Sequence, residues 1–206
     1  MSRHVIVPAV GRQTASIIFL HGLGDTGHGW SSSLAAIKPP SVKLICPTAQ
    51  TMPVTLNGGF PMPSWFDLFS LDSTGPVDKE GIEKAQKLIH ELIGAEEKEG
   101  IDSKKIILGG FSQGGALALY SGLTYPKPLG GIVALSCWIP MHEKLAMNSC
   151  VNLNTPVLQC HGDVDHIVPL KWGQMTSEFL KKHLTKYEFK TYRGLMHSSC
   201  EQVRNG

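Results

Sequence analysis

Lys105-Ile106-Ile107-Leu108-Gly109-Gly110-Phe111-Ser112-Gln113-Gly114-Gly115-Ala116-Leu117-Ala118-Leu119-Tyr120 is a β-branched run, a glycine-bracketed turn and a helix-forming run in immediate succession. Its centre, Gly110-Phe111-Ser112-Gln113-Gly114, is a G-x-S-x-G pattern set where a strand must become a helix within about two residues. Glycines at 110 and 114 supply positions where no Cβ can clash, so Ser112 is held on a strained corner with its hydroxyl exposed. The helix opening at Gln113 points unpaired N–H groups, and the positive end of its dipole, at any negative charge that develops beside the serine. That combination suits acyl transfer. Chance could produce the bare pattern in a chain with 22 glycines; the flanking strand and helix argue against it.

Working outward, Ala15 to His21, Val42 to Pro47, Gly130 to Ser136 and Thr155 to His161 repeat the continuous apolar character of the run before Ser112. Such runs predict strands buried on both faces of a mainly parallel sheet. Helices are predicted over Trp30 to Ile37, Lys79 to Glu99, Gln113 to Thr124 and Leu170 to Leu184. In the second, Ile82, Ala85, Ile89, Leu92 and Ile93 form one stripe, and Gly100 ends it. Lys186 to Tyr192 alternates and predicts an edge strand. The alternation implies an α/β fold, helices on both faces of a central sheet, in a single domain over residues 1–206. One stretch departs from this rhythm: residues 51–77 hold Pro53, Gly58, Gly59, Pro61, Pro63, Gly75 and Pro76 together with Phe60, Met62, Trp65, Phe66, Leu68, Phe69 and Leu71. It is expected as a lid-like apolar loop, the alternative being side chains packed onto the sheet edge.

With 206 residues and a net charge of +2, the chain can carry a full core and offers no general attraction to nucleic acid. Five cysteines, irregularly spaced and with no C-x-x-C pair, support neither a disulfide framework nor a zinc site. No metal or organic cofactor is called for. The start lacks an apolar secretion region and no apolar run is long enough to span a bilayer, so a cytoplasmic protein is expected.

A serine hydroxyl needs a base within reach and a third group to orient that base. In the α/β-hydrolase arrangement the acid follows the serine, after a late strand, and the histidine comes on the loop beyond the next strand. Gly162-Asp163-Val164-Asp165-His166 supplies the acid turn, and Arg193-Gly194-Leu195-Met196-His197 the histidine loop. Among nine histidines, order and spacing leave His197 as base; His161 and His166 lie too close in sequence to the acid turn. Asp163 and Asp165 compete as the acid. The earlier one is placed to brace the turn by bonding backbone N–H groups and the later one to project toward the histidine, which favours Asp165. The oxyanion donors are expected from the N–H of Gln113 and, in His21-Gly22-Leu23-Gly24-Asp25, from the N–H of Leu23, unless that segment is only a tight turn. One such donor is worth on the order of 3 kcal/mol in the transition state.

Five blocks, Ile18 to His28, Met62 to Asp67, Gly109 to Leu117, Leu135 to Pro140 and Met196 to Cys200, closely resemble the cytosolic acyl-protein thioesterases, also called lysophospholipases I, over roughly Ser16 to Val203. The resemblance implies a serine esterase that removes palmitoyl and related long chains from protein cysteines, with some lysophospholipid and carboxylester hydrolysis. It implies Ser112, Asp165 and His197 as catalytic residues and Leu23 and Gln113 as oxyanion donors. Trp65, Phe66, Leu68, Phe69, Leu71 and Trp138 become walls of an acyl channel. Taken without the resemblance, Trp138 and Cys137 read equally well as core. Partners are then S-palmitoylated proteins and lysophospholipids, with transient membrane-surface contact and a weak homodimer as further expectations. Two departures stand out. Met1-Ser2-Arg3 lacks the acylated cysteine of mammalian members, and the chain stops at Gly206 where the family continues into a terminal helix, which predicts thinner cover on the last strand. A greasy acyl group is also favoured physically, since an apolar cover gains about 0.8 kcal/mol per buried CH₂. Competing expectations are a short-chain carboxylesterase and a catalytically silent binding module on the same fold.

Overall fold

The computed structural model describes residues 4–70 and 75–200. In chain order its elements are β1 His4–Val7, β2 Ala15–Leu20, α1 His28–Ile37, β3 Val42–Pro47, β4 Thr51–Val54, β5 Phe60–Pro63, α2 Lys79–Lys98, β6 Ile106–Phe111, α3 Gln113–Thr124, β7 Gly131–Leu135, β8 Val157–Gly162, α4 Leu170–Lys181 and β9 Tyr187–Tyr192. Seven strands form one sheet in the order β1-β3-β2-β6-β7-β8-β9. Only β1 runs antiparallel to its neighbour, pairing Val5 with Cys46; the other pairings are parallel. β9 lies at an edge, as its alternation predicts.

Strand periodicity divides the core in two. Ile18, Leu20, Ile106, Leu108, Ile132 and Ala134 pack beneath α2, α3 and α4, whereas Phe19, Leu44, Cys46 and Cys160 belong to a second cluster that α1 covers in part. The expectation of strands buried on both faces needs correction on the second side. Helix α1 packs on β1 and β3, and farther along the sheet Ile107 is 37% exposed while Val133 and Leu158 are half-buried. The α2 stripe behaves as its spacing predicts: Ile82, Ala85, Ile89 and Ile93 are buried. Asp78 caps that helix by accepting from the Gly81 N–H at 2.9 Å, and Gly100 ends it at φ 95°.

The described residues of 51–77 are not all the irregular loop that the prolines and glycines suggest. They open with the hairpin β4–β5, in which Pro53 faces Pro61. An isolated two-stranded ribbon leaves outward positions that need no N–H donor, so it accommodates prolines that a central strand would reject. The hairpin connection closes through Gly58 and Gly59 at φ 64° and 81°. After the hairpin the chain is fastened at several points: Asp67 accepts from the Thr55 N–H (2.8 Å) and hydroxyl (2.6 Å). The Asp67 N–H in turn donates to Asp78 Oδ2 at 2.8 Å. Phe66 and Leu68 reach the core under α2, while Phe60 is 66% exposed. Leu71 lies outside the described residues.

Candidate active site

Ser112 follows β6 directly and stands at φ 54°, ψ −121°, with its N–H held by the Leu135 carbonyl at 2.9 Å. A side chain in that region of backbone space costs on the order of 1–3 kcal/mol and persists only where the surroundings enforce it. Both motif glycines are required by close approach: a Cβ on Gly110 would strike the Gly114 carbonyl, and one on Gly114 the carbonyls of Leu20 and His21. The corner is therefore set by packing of the β6–α3 turn against β2.

Three loops at the carboxyl ends of strands meet over this corner. His197, after β9, lies with Nε2 3.0 Å from Ser112 Oγ and Nδ1 2.7 Å from Asp165 Oδ2. The carboxylate only accepts, so Nδ1 carries the proton and Nε2 is free to take the serine's. The imidazole leans on the Phe111 ring, centroids 4.6 Å apart. Asp165 is 5% exposed, and its Oδ1 accepts from the N–H groups of Ile167 (3.0 Å) and Val168 (2.8 Å). The division of labour between the two aspartates differs from the expected one. Asp165 braces its own turn as well as facing His197, whereas Asp163 reaches across to accept the Gly194 N–H at 2.6 Å, fixing the loop that presents His197. His161 also departs from expectation: its Nε2 lies 3.7 Å from Asp165 Oδ2. That nitrogen is committed to the Val168 carbonyl at 2.8 Å, and burial pushes the His161 pKa down, so it is a neutral brace of the acid turn.

Leu23 and Gln113 line the same cleft as Ser112 and His197. Gln113 is the first residue of α3, so its N–H has no acceptor within the helix. Its side chain, which the sequence reading left unassigned, is an anchor. Buried to 1%, it donates from Nε2 to the Phe66 carbonyl (2.8 Å) and Ser64 Oγ (2.9 Å) and accepts the Trp65 N–H on Oε1 (3.1 Å). Trp65 Nε1–H donates to the His21 carbonyl at 2.8 Å. The segment after the hairpin is thereby tied to the elbow.

The cleft holds about 590 Å³, and a second cavity of about 460 Å³ adjoins it, with Leu68 and Trp138 lining both. Phe66 and Phe69 line only the second. Trp65 lines neither; it packs on the His21 ring, centroids 5.0 Å apart. The far wall of the second cavity comes from α4, through Trp172, Met175, Thr176 and Phe179. Their i, i+3, i+4, i+7 spacing is a helical face that was visible in the sequence. Cys137 is fully buried, and burial raises its thiol, so it is an inert core residue; Cys46 is likewise pushed up to about 12. Among the described residues no helix is long and apolar enough to cross a membrane.

The sequence and the fold are similar to those of known proteins. Residues 1–204 match the model of the phospholipase/carboxylesterase family. Acyl-protein thioesterase 1 of Neurospora crassa is 42% identical over 208 residues, 95% of this chain and 85% of that protein. Its namesake from Mycosarcoma maydis is 42% identical over 221 residues, 98% of this chain and 92% of that protein. The crystal structure of Zea mays acyl-protein thioesterase 2 superposes with a TM-score of 0.88 at 33% identity, covering 100% of this chain and 95% of that one. The fold is that of the α/β-hydrolases, and the chain belongs to the phospholipase/carboxylesterase family, among its acyl-protein thioesterases.

Proposed function

We propose that the protein is a serine hydrolase that cleaves long-chain acyl thioesters from S-acylated, notably palmitoylated, protein cysteines. The observation that carries this reading is the hydrogen-bonded series Ser112–His197–Asp165 on a strained corner, opening into a cleft that continues into a second, apolar-walled cavity. In this reading Ser112 Oγ attacks the acyl carbonyl carbon as His197 Nε2 takes its proton, and Asp165 stabilises the resulting imidazolium. The negative charge on the former carbonyl oxygen is held by the N–H groups of Leu23 and Gln113. Collapse expels the cysteine sulfur, which takes the proton from His197 Nε2 and departs as the thiol, leaving an acyl ester on Ser112 and His197 neutral again. A water molecule, deprotonated by His197, then attacks that ester; the acid is released and the serine recovers its proton.

The acyl chain runs from the cleft between Leu68 and Trp138 into the cavity walled by Phe66, Phe69 and α4, a volume within the ordinary range of ligand sites. Leu71 is assigned to the same wall from the sequence alone. The stretch at 51–77 serves as the cover of that cavity within a single domain. Lysophospholipids and other carboxylesters fit the same chemistry, because the serine attacks an ester carbonyl as it does a thioester. The protein acts in the cytoplasm, with transient contact at a membrane surface through exposed apolar residues such as Phe60, and as a monomer or weak homodimer.

Hydrolysis of acetyl, octanoyl and palmitoyl thioesters and oxygen esters tests the substrate class. Turnover rising with chain length is expected; a clear preference for acetyl would identify a short-chain carboxylesterase instead. Labelling of Ser112 by a fluorophosphonate is expected too, and its failure would leave a silent binding module.

A further inference from the structure

His21 is buried to 1% at the end of β2 and takes no part in the chemistry above. Both of its ring nitrogens are nevertheless committed to backbone groups. Ala49 N–H, which can only donate, lies 3.0 Å from Nε2, and the Gly22 carbonyl oxygen, which can only accept, lies 2.7 Å from Nδ1. Those partners permit a single arrangement, the neutral ring with its proton on Nδ1. Burial, which pushes the His21 pKa down, agrees with a neutral ring.

The Gly22 carbonyl and the Leu23 N–H belong to one peptide unit. Among the described residues there is no cis peptide bond, so in that planar unit the two groups point in opposite directions. The Gly22 oxygen is turned to the His21 side and also accepts the Asp25 N–H at 3.2 Å. The serine is close to this peptide: a Cβ built on Gly22 would lie 3.4 Å from Ser112 Cβ, and Gly22, Leu23 and Ser112 line one cleft. The His21 ring is itself fixed by its stack on Trp65, which the Gln113 side chain holds by its N–H. The geometry points to His21 as a positioning residue of the oxyanion hole: its Nδ1–H grips the Gly22 carbonyl and so aims the Leu23 N–H at the oxygen of the acyl group under attack. This rests on the acyl-transfer reading of Ser112 given above.

The test sets His21→Gln against His21→Asn in the full-length protein. Glutamine keeps an acceptor for Ala49 where Nε2 stands but has no donor at the Nδ1 position; asparagine keeps a donor there and strands Ala49. With an octanoyl thioester, H21Q is expected to lose kcat on the order of 10- to 100-fold at a KM near the parent's, and H21N to recover kcat several-fold above H21Q. A purely structural role gives the reverse order, because H21N is then the more disturbed protein; H21Q equal to or above H21N overturns the proposal. Affinity for an alkyl trifluoromethyl ketone, which forms an oxyanion on the serine, should weaken in H21Q in step with kcat, while an uncleavable thioether of equal chain length binds as before. Equal weakening of both overturns it. A ¹⁵N-histidine spectrum of the parent needs no folded variant: the Nδ1–H tautomer of His21 at neutral pH supports the proposal, and the Nε2–H tautomer overturns it. A parent that takes no fluorophosphonate at Ser112 would remove the enzyme reading itself, whereas a labelled parent with the reversed variant order removes only the role of His21.

Discussion

Two polar clusters are buried at opposite ends of the same sheet. At the carboxyl ends of the strands stand Ser112, His197 and Asp165; at the amino ends, Ser16 of β2, Lys43 of β3 and Glu96 of α2 meet with Gln13. The Glu96 carboxylate accepts from Lys43 Nζ (2.6 Å), Ser16 Oγ (2.7 Å) and Gln13 Nε2 (2.9 Å), and Lys43 also pairs with Glu99 at 2.7 Å. Burial alone would raise the Glu96 carboxyl, but these donors outweigh it and hold it below the usual range. The second cluster is satisfied, lies on unstrained backbone and borders neither of the two cavities. The first stands on a residue at φ 54° and opens to a cleft. Burial and hydrogen bonding are common to both. Strain together with an adjoining cavity is what distinguishes a reactive centre from a structural one.

Removing one residue at each end breaks the comparison in opposite ways. Ser112→Ala should lower turnover on the order of 10⁴-fold or more and abolish fluorophosphonate labelling. Its denaturant midpoint should barely move, since alanine inherits the same backbone corner. Asp165→Asn follows, with a loss on the order of 10⁴-fold read in kcat, because the imidazole no longer has its orienting acceptor. Lys43→Met should instead leave kcat within a few-fold of the parent while costing about 3 kcal/mol in urea unfolding, by stranding the Glu96 charge. A K43M protein that is stable but inactive would show that the two ends are not independent. Gln113→Ala tests a residue that joins structure to chemistry. It leaves the Phe66 carbonyl and Trp65 N–H buried without their partner, at about 2 kcal/mol by denaturation, with a loss of turnover smaller than that of Ser112→Ala.

The reactive end was far more legible in the sequence than the structural one, for a physical reason. An elbow needs glycines at fixed offsets and a strand and helix on either side, so Ser112 is encoded locally; chain order then points to His197 and to the acid turn that holds Asp163 and Asp165. Glu96, by contrast, sits one position from the exposed side of an ordinary helix, and nothing local says that Lys43, 53 positions away, will meet it. The hairpin at 51–63 was hidden because Pro53 and Pro61 argue against strands in general, and only pairing with each other makes them tolerable. The Gln113 side chain has no local signal because its partners lie 47 to 49 residues away, and the channel role of Trp65 comes from the family resemblance, which does not say what its ring packs against.

Acid separates the two ends by smaller steps. Three histidines, His21 and His161 buried beside the reactive end and His90 half-buried with its Nε2 2.8 Å from the Ser121 carbonyl between α2 and α3, have pKa values held below their ordinary 6.5. Desolvation is the leading cause for each. Between the folded value and 6.5 the unfolded chain binds more protons than the folded one, so stability falls as pH falls through that window. Glu96 has the same sign but a lower range: its contribution is present above the ordinary 4.5 and is lost only as pH drops below it. From neutral pH to about pH 5, then, the melting midpoint should decline while the Glu96 cluster is still intact. Hydrogen exchange corrected for intrinsic rates should show amides bonded at the histidine sites, Ala49 among them, losing protection before that of Ser16. In K43M, where burial of the carboxyl is no longer opposed by the ammonium, acidification should relieve part of the introduced cost. A midpoint that is flat down to pH 5 would mean that the folded chain takes up these protons as readily as the unfolded one, and so that burial does not hold the imidazoles below 6.5.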